Sequence, residues 1–206
     1  ADLMIVDDAA GGTNRKATMA RLATYMGTKI GGGLEFISST DISSAATFSF
    51  TGFDDSKYDN YKLFFANLTP ANDSVGLSMV TSTDAGTNFD TGGSDYSRAD
   101  LYFQNSYGQF TSSKSSAASC FLAGTFGTAS GEEGGGCGEI TIFGPHLAQF
   151  TQIQSKFFFI TNGGLPALQI TGFARSSAAD VTAVKFAFSA GAIASGTFTA
   201  YGMVNS

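Results

Sequence analysis

The chain reads as all-β, an antiparallel β-sandwich of jelly-roll type with a short N-terminal α-helix, and three observations predict it. Apolar and polar residues alternate along most of the length, the period-two pattern of strands with one buried face. Such runs recur at short spacing with turn clusters between them, as a sandwich requires. The composition is suited to it: 20 Phe and 7 Tyr for burial, 26 Gly for turns, no Trp and only 3 Pro. Each buried ring removes about 150–250 Å² from water. At 206 residues the length fits one such domain, since sandwiches can reach about 200 residues as a single unit.

The first element is helical. Residues 1–17 are expected to be irregular, with Ala9-Ala10-Gly11-Gly12 interrupting any pattern. Thr18 has the chemistry of an N-cap. After it Met19, Leu22, Ala23, Met26 and Ile30 fall on one helical face, predicting a helix over 18–30. A helix this short is marginal alone in water, and Gly27 weakens it by about 1 kcal/mol relative to Ala. Its apolar face, Met19, Leu22, Met26 and Ile30, therefore needs a partner. Either the β domain of the same chain or the same helix from neighbouring copies would serve. The break at Gly31-Gly32-Gly33 favours the second. Residues 1–33 are thus expected to be an attachment segment with an oligomerising helix, and residues 34–206 the β-sandwich.

The strands follow. Thr47-Phe48-Ser49-Phe50-Thr51-Gly52-Phe53, Leu77-Ser78-Met79-Val80, Ile140-Thr141-Ile142-Phe143, Val184-Lys185-Phe186-Ala187-Phe188 and Thr197-Phe198-Thr199-Ala200-Tyr201 alternate. Leu63-Phe64-Phe65 and Phe157-Phe158-Phe159-Ile160 predict strands that are more fully buried. Asp54-Asp55-Ser56, Pro70-Ala71-Asn72-Asp73, Asp84-Ala85-Gly86, Gly92-Gly93-Ser94-Asp95, Asn162-Gly163-Gly164 and residues 132–136 are turn clusters. About ten strands are expected in all.

Composition also excludes functions. Charged residues make up 14% of the chain with a net charge of −6, against about 25% in typical domains. A nucleic-acid partner would need a basic face. Leu3 to Val6 is too short an apolar run for a signal peptide, and no stretch approaches the roughly 20 apolar residues of a membrane span. A soluble protein made in a reducing cytosol is expected. Cys120 and Cys137 then fit buried free thiols in strands; a disulfide is the alternative, if their Cα atoms lie within about 7 Å.

No catalytic residue, metal site or cofactor is assigned. His146, the single histidine, has no Gly-x-Ser-x-Gly elbow beside it and is expected on an exposed loop. One histidine and two cysteines fall short of a structural zinc set. The oxygen-rich segment Asp84 to Asp90 suits a turn better than a calcium loop, lacking the alternating acids and terminal Glu. Glu132-Glu133 lie on a glycine-rich loop too loose for catalysis. Cleavage of a polysaccharide would need two carboxylates about 5–9.5 Å apart, and nothing marks Asp95 and Asp100 as such a pair. Binding is the better use of the surface. Tyr96, Tyr102, Tyr107 and Phe110 lie among Ser, Asn, Gln and Asp in the segment 90–114. As loop aromatics they suit sugar rings or contacts with other proteins; as core rings of short strands they carry no site.

The C-terminal residues carry a resemblance. Thr171-Gly172-Phe173, and Val181-Thr182-Ala183-Val184-Lys185-Phe186-Ala187-Phe188-Ser189-Ala190-Gly191-Ala192-Ile193-Ala194-Ser195-Gly196-Thr197-Phe198-Thr199-Ala200-Tyr201-Gly202, resemble the closing hairpin of tail-fibre and related appendage proteins of tailed bacteriophages. Tyr58-Asp59-Asn60-Tyr61-Lys62-Leu63, Leu68-Thr69-Pro70-Ala71-Asn72-Asp73 and Ser82-Thr83-Asp84-Ala85-Gly86-Thr87-Asn88-Phe89 are similar to the same domain. Asp8-Ala9-Ala10-Gly11-Gly12-Thr13-Asn14-Arg15-Lys16-Ala17-Thr18 looks like the attachment segment of such fibres. The resemblance implies a virion protein made in the host cytoplasm, commonly a homotrimer. It would dock on other virion proteins by its N-terminus and bind host surface glycans through its β domain. Only Gly31-Gly32-Gly33 separates the two parts, so a short tail or head fibre fits better than a long one. A capsid cement or decoration protein is the alternative, and a polysaccharide depolymerase a more distant one.

Overall fold

The computed structural model describes residues 3–6, 15–22, 33–104, 108–128 and 134–204, with only the backbone described at 3–6, 15–17, 108–110 and 204. The chain divides into two compact units, Ala1–Gly33 and Leu34–Asn205.

The first unit contains a strand pair where irregular chain was expected. β1 (Leu3–Val6) runs antiparallel to β2 (Arg15–Thr18), with Leu3 opposite Thr18 and Val6 opposite Arg15. Leu3-Met4-Ile5-Val6 suits a strand, but its partner Arg15-Lys16-Ala17-Thr18 has no alternation to announce it. The chain then turns into a helix, α1, over 19–22. The Arg21 N–H donates to Thr18 Oγ1 at 3.3 Å, an N-cap contact. Met26 and Ile30 lie outside the described residues.

Among the described residues, the regular elements of the second unit are all strands. In chain order they are β3 (Leu34–Ala45), β4 (Phe48–Phe50), β5 (Tyr58–Pro70), β6 (Val75–Ser82), β7 (Tyr96–Gln104), β8 (Gly108–Ala117), β9 (Cys120–Phe126), β10 (Gly136–Phe143), β11 (Gln152–Ile160), β12 (Pro166–Arg175), β13 (Ala183–Phe188) and β14 (Ile193–Val204). Eight of them form one antiparallel sheet in the order β3-β14-β5-β10-β11-β12-β7-β8, and four form another in the order β4-β13-β6-β9. Setting aside β7–β8 and β11–β12 makes the topology plain. The remaining strands, numbered one to eight, have the orders 1-8-3-6 and 2-7-4-5. That is the double Greek key of a jelly roll. The two set-aside hairpins extend the larger sheet beyond its fourth strand.

β7 and β8 pair as a hairpin, so of the two readings left open for the segment 90–114 the short-strand one holds. One expectation changes: the strands over 181–202 are not a hairpin, because β13 pairs with β4 and β6 while β14 pairs with β3 and β5. β13 and β14 lie in different sheets and meet through side chains: the Phe186 and Phe198 rings lie 6.1 Å apart.

Aromatic rings fill the space between the sheets. Phe65 meets Phe186 edge to face at 4.9 Å and Phe198 at 5.3 Å, and Phe126 stacks on Phe159 at 4.6 Å. Each ring contributes about 1.5–3 kcal/mol by burial, and each favourable pair about 0.5–1.5 kcal/mol more. Glycines in the strands make room for some of these rings. A Cβ on Gly138 would strike the Phe157 ring, and one on Gly202 the Tyr58 ring.

Candidate binding face

Strand register determines what the larger sheet shows on its outer side. Phe36, Tyr201, Lys62, Thr141, Gln154, Gly172, Ala99 and Ser113 are successive register neighbours across all eight strands. Because side chains alternate along each strand, this row and its neighbours two residues away form one face. Its two ends differ.

At the end formed by β3, β14 and β5, and continued by Cys137 of β10 and Phe158 of β11, apolar side chains stand beside Lys62, Glu139 and Lys156. Leu34, Phe36 and Phe158 are 46%, 57% and 49% exposed. Tyr201 joins them, edge to face with Phe36 at 5.9 Å and with Phe64 at 5.8 Å. Lys62 lies between the rings, 5.6 Å from the Phe64 centroid, and donates to Glu139 Oε2 at 3.0 Å. Phe158 belongs to a run expected to be more fully buried, but it takes an outward position of β11, while Phe157 and Phe159 point into the core.

The other end is a groove of about 800 Å³. Gly172, Ala99, Ala174 and Ser97 line it, together with Gln152, Gln154 and the exposed rings of Phe143 and Phe150. The floor is low because the residues are small; a Cβ on Gly172 would meet nothing within 4 Å. Binding pockets commonly combine apolar walls with a few convergent polar groups at volumes of about 300–1,000 Å³. A Gln amide donates and accepts, so it can match a hydroxyl of either orientation. Neither Tyr96 nor Tyr102 lines this groove.

The aromatics singled out in the sequence occupy other places. Tyr96 is fully buried in β7 and is excluded as a surface platform. Its hydroxyl accepts the Thr81 N–H at 2.7 Å, lies 2.9 Å from Thr81 Oγ1 and donates to the Asp90 carbonyl at 3.1 Å. Burial pushes its phenol well above the usual tyrosine range. Tyr102 is half-buried on the inner side of β7, its ring 6.4 Å from Phe159 and its hydroxyl donating to Gln104 at 2.9 Å. Tyr107 lies outside the described residues, as does the side chain of Phe110, whose backbone pairs with Tyr102.

Several polar candidates have structural partners. Asp84 Oδ1 accepts from the Ser82 hydroxyl at 2.7 Å and the Asn88 N–H at 2.8 Å, and Oδ2 accepts from the Asn88 amide at 2.7 Å. These donors, the Asn88 N–H first, hold its pKa down at about 2. The segment is a turn tied by its own acid. Asp95 accepts the Gly92 N–H at 2.6 Å, and Asp100 lies 3.1 Å from Arg98 Nε. Glu132 and Glu133 lie outside the described residues. His146 is half-buried, not exposed, because the turn after β10 folds it towards Asp59, whose carboxylate is 3.8 Å away. Both cysteines are free thiols. Cys120 is buried, which pushes its thiol up. Cys137 is exposed, contrary to expectation, because it occupies an outward position of β10 opposite Phe158.

No protein-family model matches this chain, and no curated relative matches it in sequence. Gln152 and Gln154 could have been found in the sequence, since they alternate with Ile153, Ser155 and Phe157 and so must face away from the core. Joining them to Gly172 and Ala99 required the strand order.

Proposed function

We propose that this chain is a structural virion protein of a tailed phage, a short homotrimeric appendage that docks by residues 1–33 and binds host surface glycan on its β domain. The groove beside Phe143 and Phe150 carries the glycan part. Ring faces of sugars stack on exposed aromatic side chains, and Gln152 and Gln154 supply donors and acceptors for their hydroxyls. Resemblance of the N-terminal, central and C-terminal segments to phage appendage proteins supports the virion part. The jelly roll recurs in viral capsid and lectin domains, which is an analogy of fold and not of site.

A bacterial polysaccharide array probed with the intact protein tests the groove. Binding that is lost in Phe150→Ala and Gln154→Ala supports it. Binding that survives both substitutions, or no binding to any surface glycan, removes it. Immunogold labelling of particles tests the location: signal at the tail or on projecting fibres supports an appendage, and signal spread over the head faces replaces it with a decoration protein.

A further inference from the structure

We propose that a short chain of ordered water is bound inside the sandwich beneath β7, bridging Ser155, Thr171 and Asp100. The site is separate from the groove and does not depend on the function proposed above.

Strand register brings the three residues together. Ser155 of β11 faces Thr171 of β12, and Thr171 faces Asp100 of β7. All three take inner positions of the larger sheet, because Gln154, Gly172 and Ala99, one position away on each strand, belong to the outer row. Ser155 and Thr171 are 1% and 0% exposed, and the Asp100 side chain is 6% exposed. Ser155 Oγ, Thr171 Oγ1 and Asp100 Oδ1 nevertheless have no hydrogen-bond partner among the described residues. A buried polar atom left in that state carries its full desolvation penalty. Protein interiors meet such groups with ordered water.

The spacing suits water. Facing residues of an antiparallel pair have Cβ atoms about 4.5–5.5 Å apart. Two hydrogen bonds of about 2.8 Å meeting at one water oxygen cover that span. The chemistry suits it as well. An ionised carboxylate only accepts, whereas a hydroxyl both donates and accepts. A water that donates to Asp100 Oδ1 and exchanges a bond with Thr171 Oγ1 completes both groups, and a second water joins Thr171 to Ser155.

Charge selects water over a cation. Arg98 Nε lies 3.1 Å from Asp100 Oδ2 and has no hydrogen-bond acceptor among the described residues. The carboxylate is already balanced, and the unused N–H offers a further donor to a water oxygen while repelling a metal ion. The Arg98 guanidinium lies 5.1 Å from the Phe121 ring of β9, on the side of the smaller sheet. From Asp100 the register row continues to Ser112, which is exposed on the edge strand β8. Solvent reaches the row from that edge. The bound water ties β7 to β12 and β11 where the aromatic core gives way to polar residues.

A crystal structure of the intact chain at a resolution that shows solvent tests this. Density is expected about 2.5–3.2 Å from both Thr171 Oγ1 and Asp100 Oδ1. It is expected to be weakened or lost in Thr171→Val, which keeps the side-chain shape and removes the hydroxyl. Ser155→Ala, a smaller change, is expected to lose only the water between Ser155 and Thr171. Crystals grown with a thallium salt, a heavy stand-in for a monovalent cation, are expected to show no anomalous peak at the site. A dry interior in which the Ser155 and Thr171 hydroxyls turn to backbone carbonyls overturns the inference. So does a thallium peak, which would make this a cation site, and so does density that both substitutions leave unchanged. If Thr171→Val does not fold, the solvent density and the thallium experiment on the intact chain still decide.

Discussion

Arg175 Nε donates to Asp90 Oδ2 at 2.8 Å, joining the end of β12 to the loop that leads into β7. The same carboxylate oxygen accepts the Thr81 hydroxyl at 2.7 Å, and Arg175 Nη1 reaches the Ser177 carbonyl at 2.8 Å. The guanidinium is almost fully buried, and the Asp90 side chain is 25% exposed. Breaking a fully buried pair costs about 3–5 kcal/mol. Partial exposure lowers this, so Arg175→Met is expected to cost about 2–3 kcal/mol in urea unfolding. An unchanged midpoint would mean that the loop does not depend on this pair.

Tyr96 gives a second test of the same corner. Tyr96→Phe removes the acceptor of the buried Thr81 N–H and leaves that donor unpaired. The expected loss is about 1–3 kcal/mol, seen as a lower unfolding midpoint. Glycan retention is expected to be unaffected, because the ring has no exposed surface. Reduced binding at full stability would restore Tyr96 as a site residue.

Gly138 tests the packing of glycine under aromatic rings. Gly138→Ala drives a methyl into the Phe157 ring, and overpacking of this kind costs about 1–3 kcal/mol. Calorimetry should show a lower Tm. Gly172→Ala, whose new methyl meets open space, is the control and should melt at or near the parent temperature.

Asp84 sets an acid dependence. Its folded pKa lies below the unfolded value of 3.8, at about 2, so its contribution is present above 3.8 and is lost as pH falls through about 2. Stability of the parent chain should therefore decline across that window by more than that of Asp84→Asn. Equal slopes in urea midpoints against pH would show that the Ser82 and Asn88 bonds to this carboxylate are not coupled to folding.

Much of the fold was legible in particular residues. Phe48, Phe50, Phe186, Phe188 and Phe198 alternate with small or polar neighbours, and all five join the core or pack on it. Tyr96 was harder. Its neighbours Asp95 and Ser97 look like loop, and only the partners Thr81 and Asp90, 15 and 6 positions away, explain a buried hydroxyl. Gly136 and Gly138 follow a glycine-rich run of sequence, so local composition concealed the start of β10.

From the sequence alone came the class of structure: all-β, with aromatic alternation supplying a core and glycine clusters supplying the turns. Those are short-range properties, since each residue's face follows from its immediate neighbours. The candidate site came only from tertiary structure. Phe36, Tyr201, Lys62, Gln154, Gly172 and Ala99 form one row because β3, β14, β5, β11, β12 and β7 lie in one sheet. That order depends on pairings as distant as Leu34 with Met203, 169 positions apart, which no local pattern encodes.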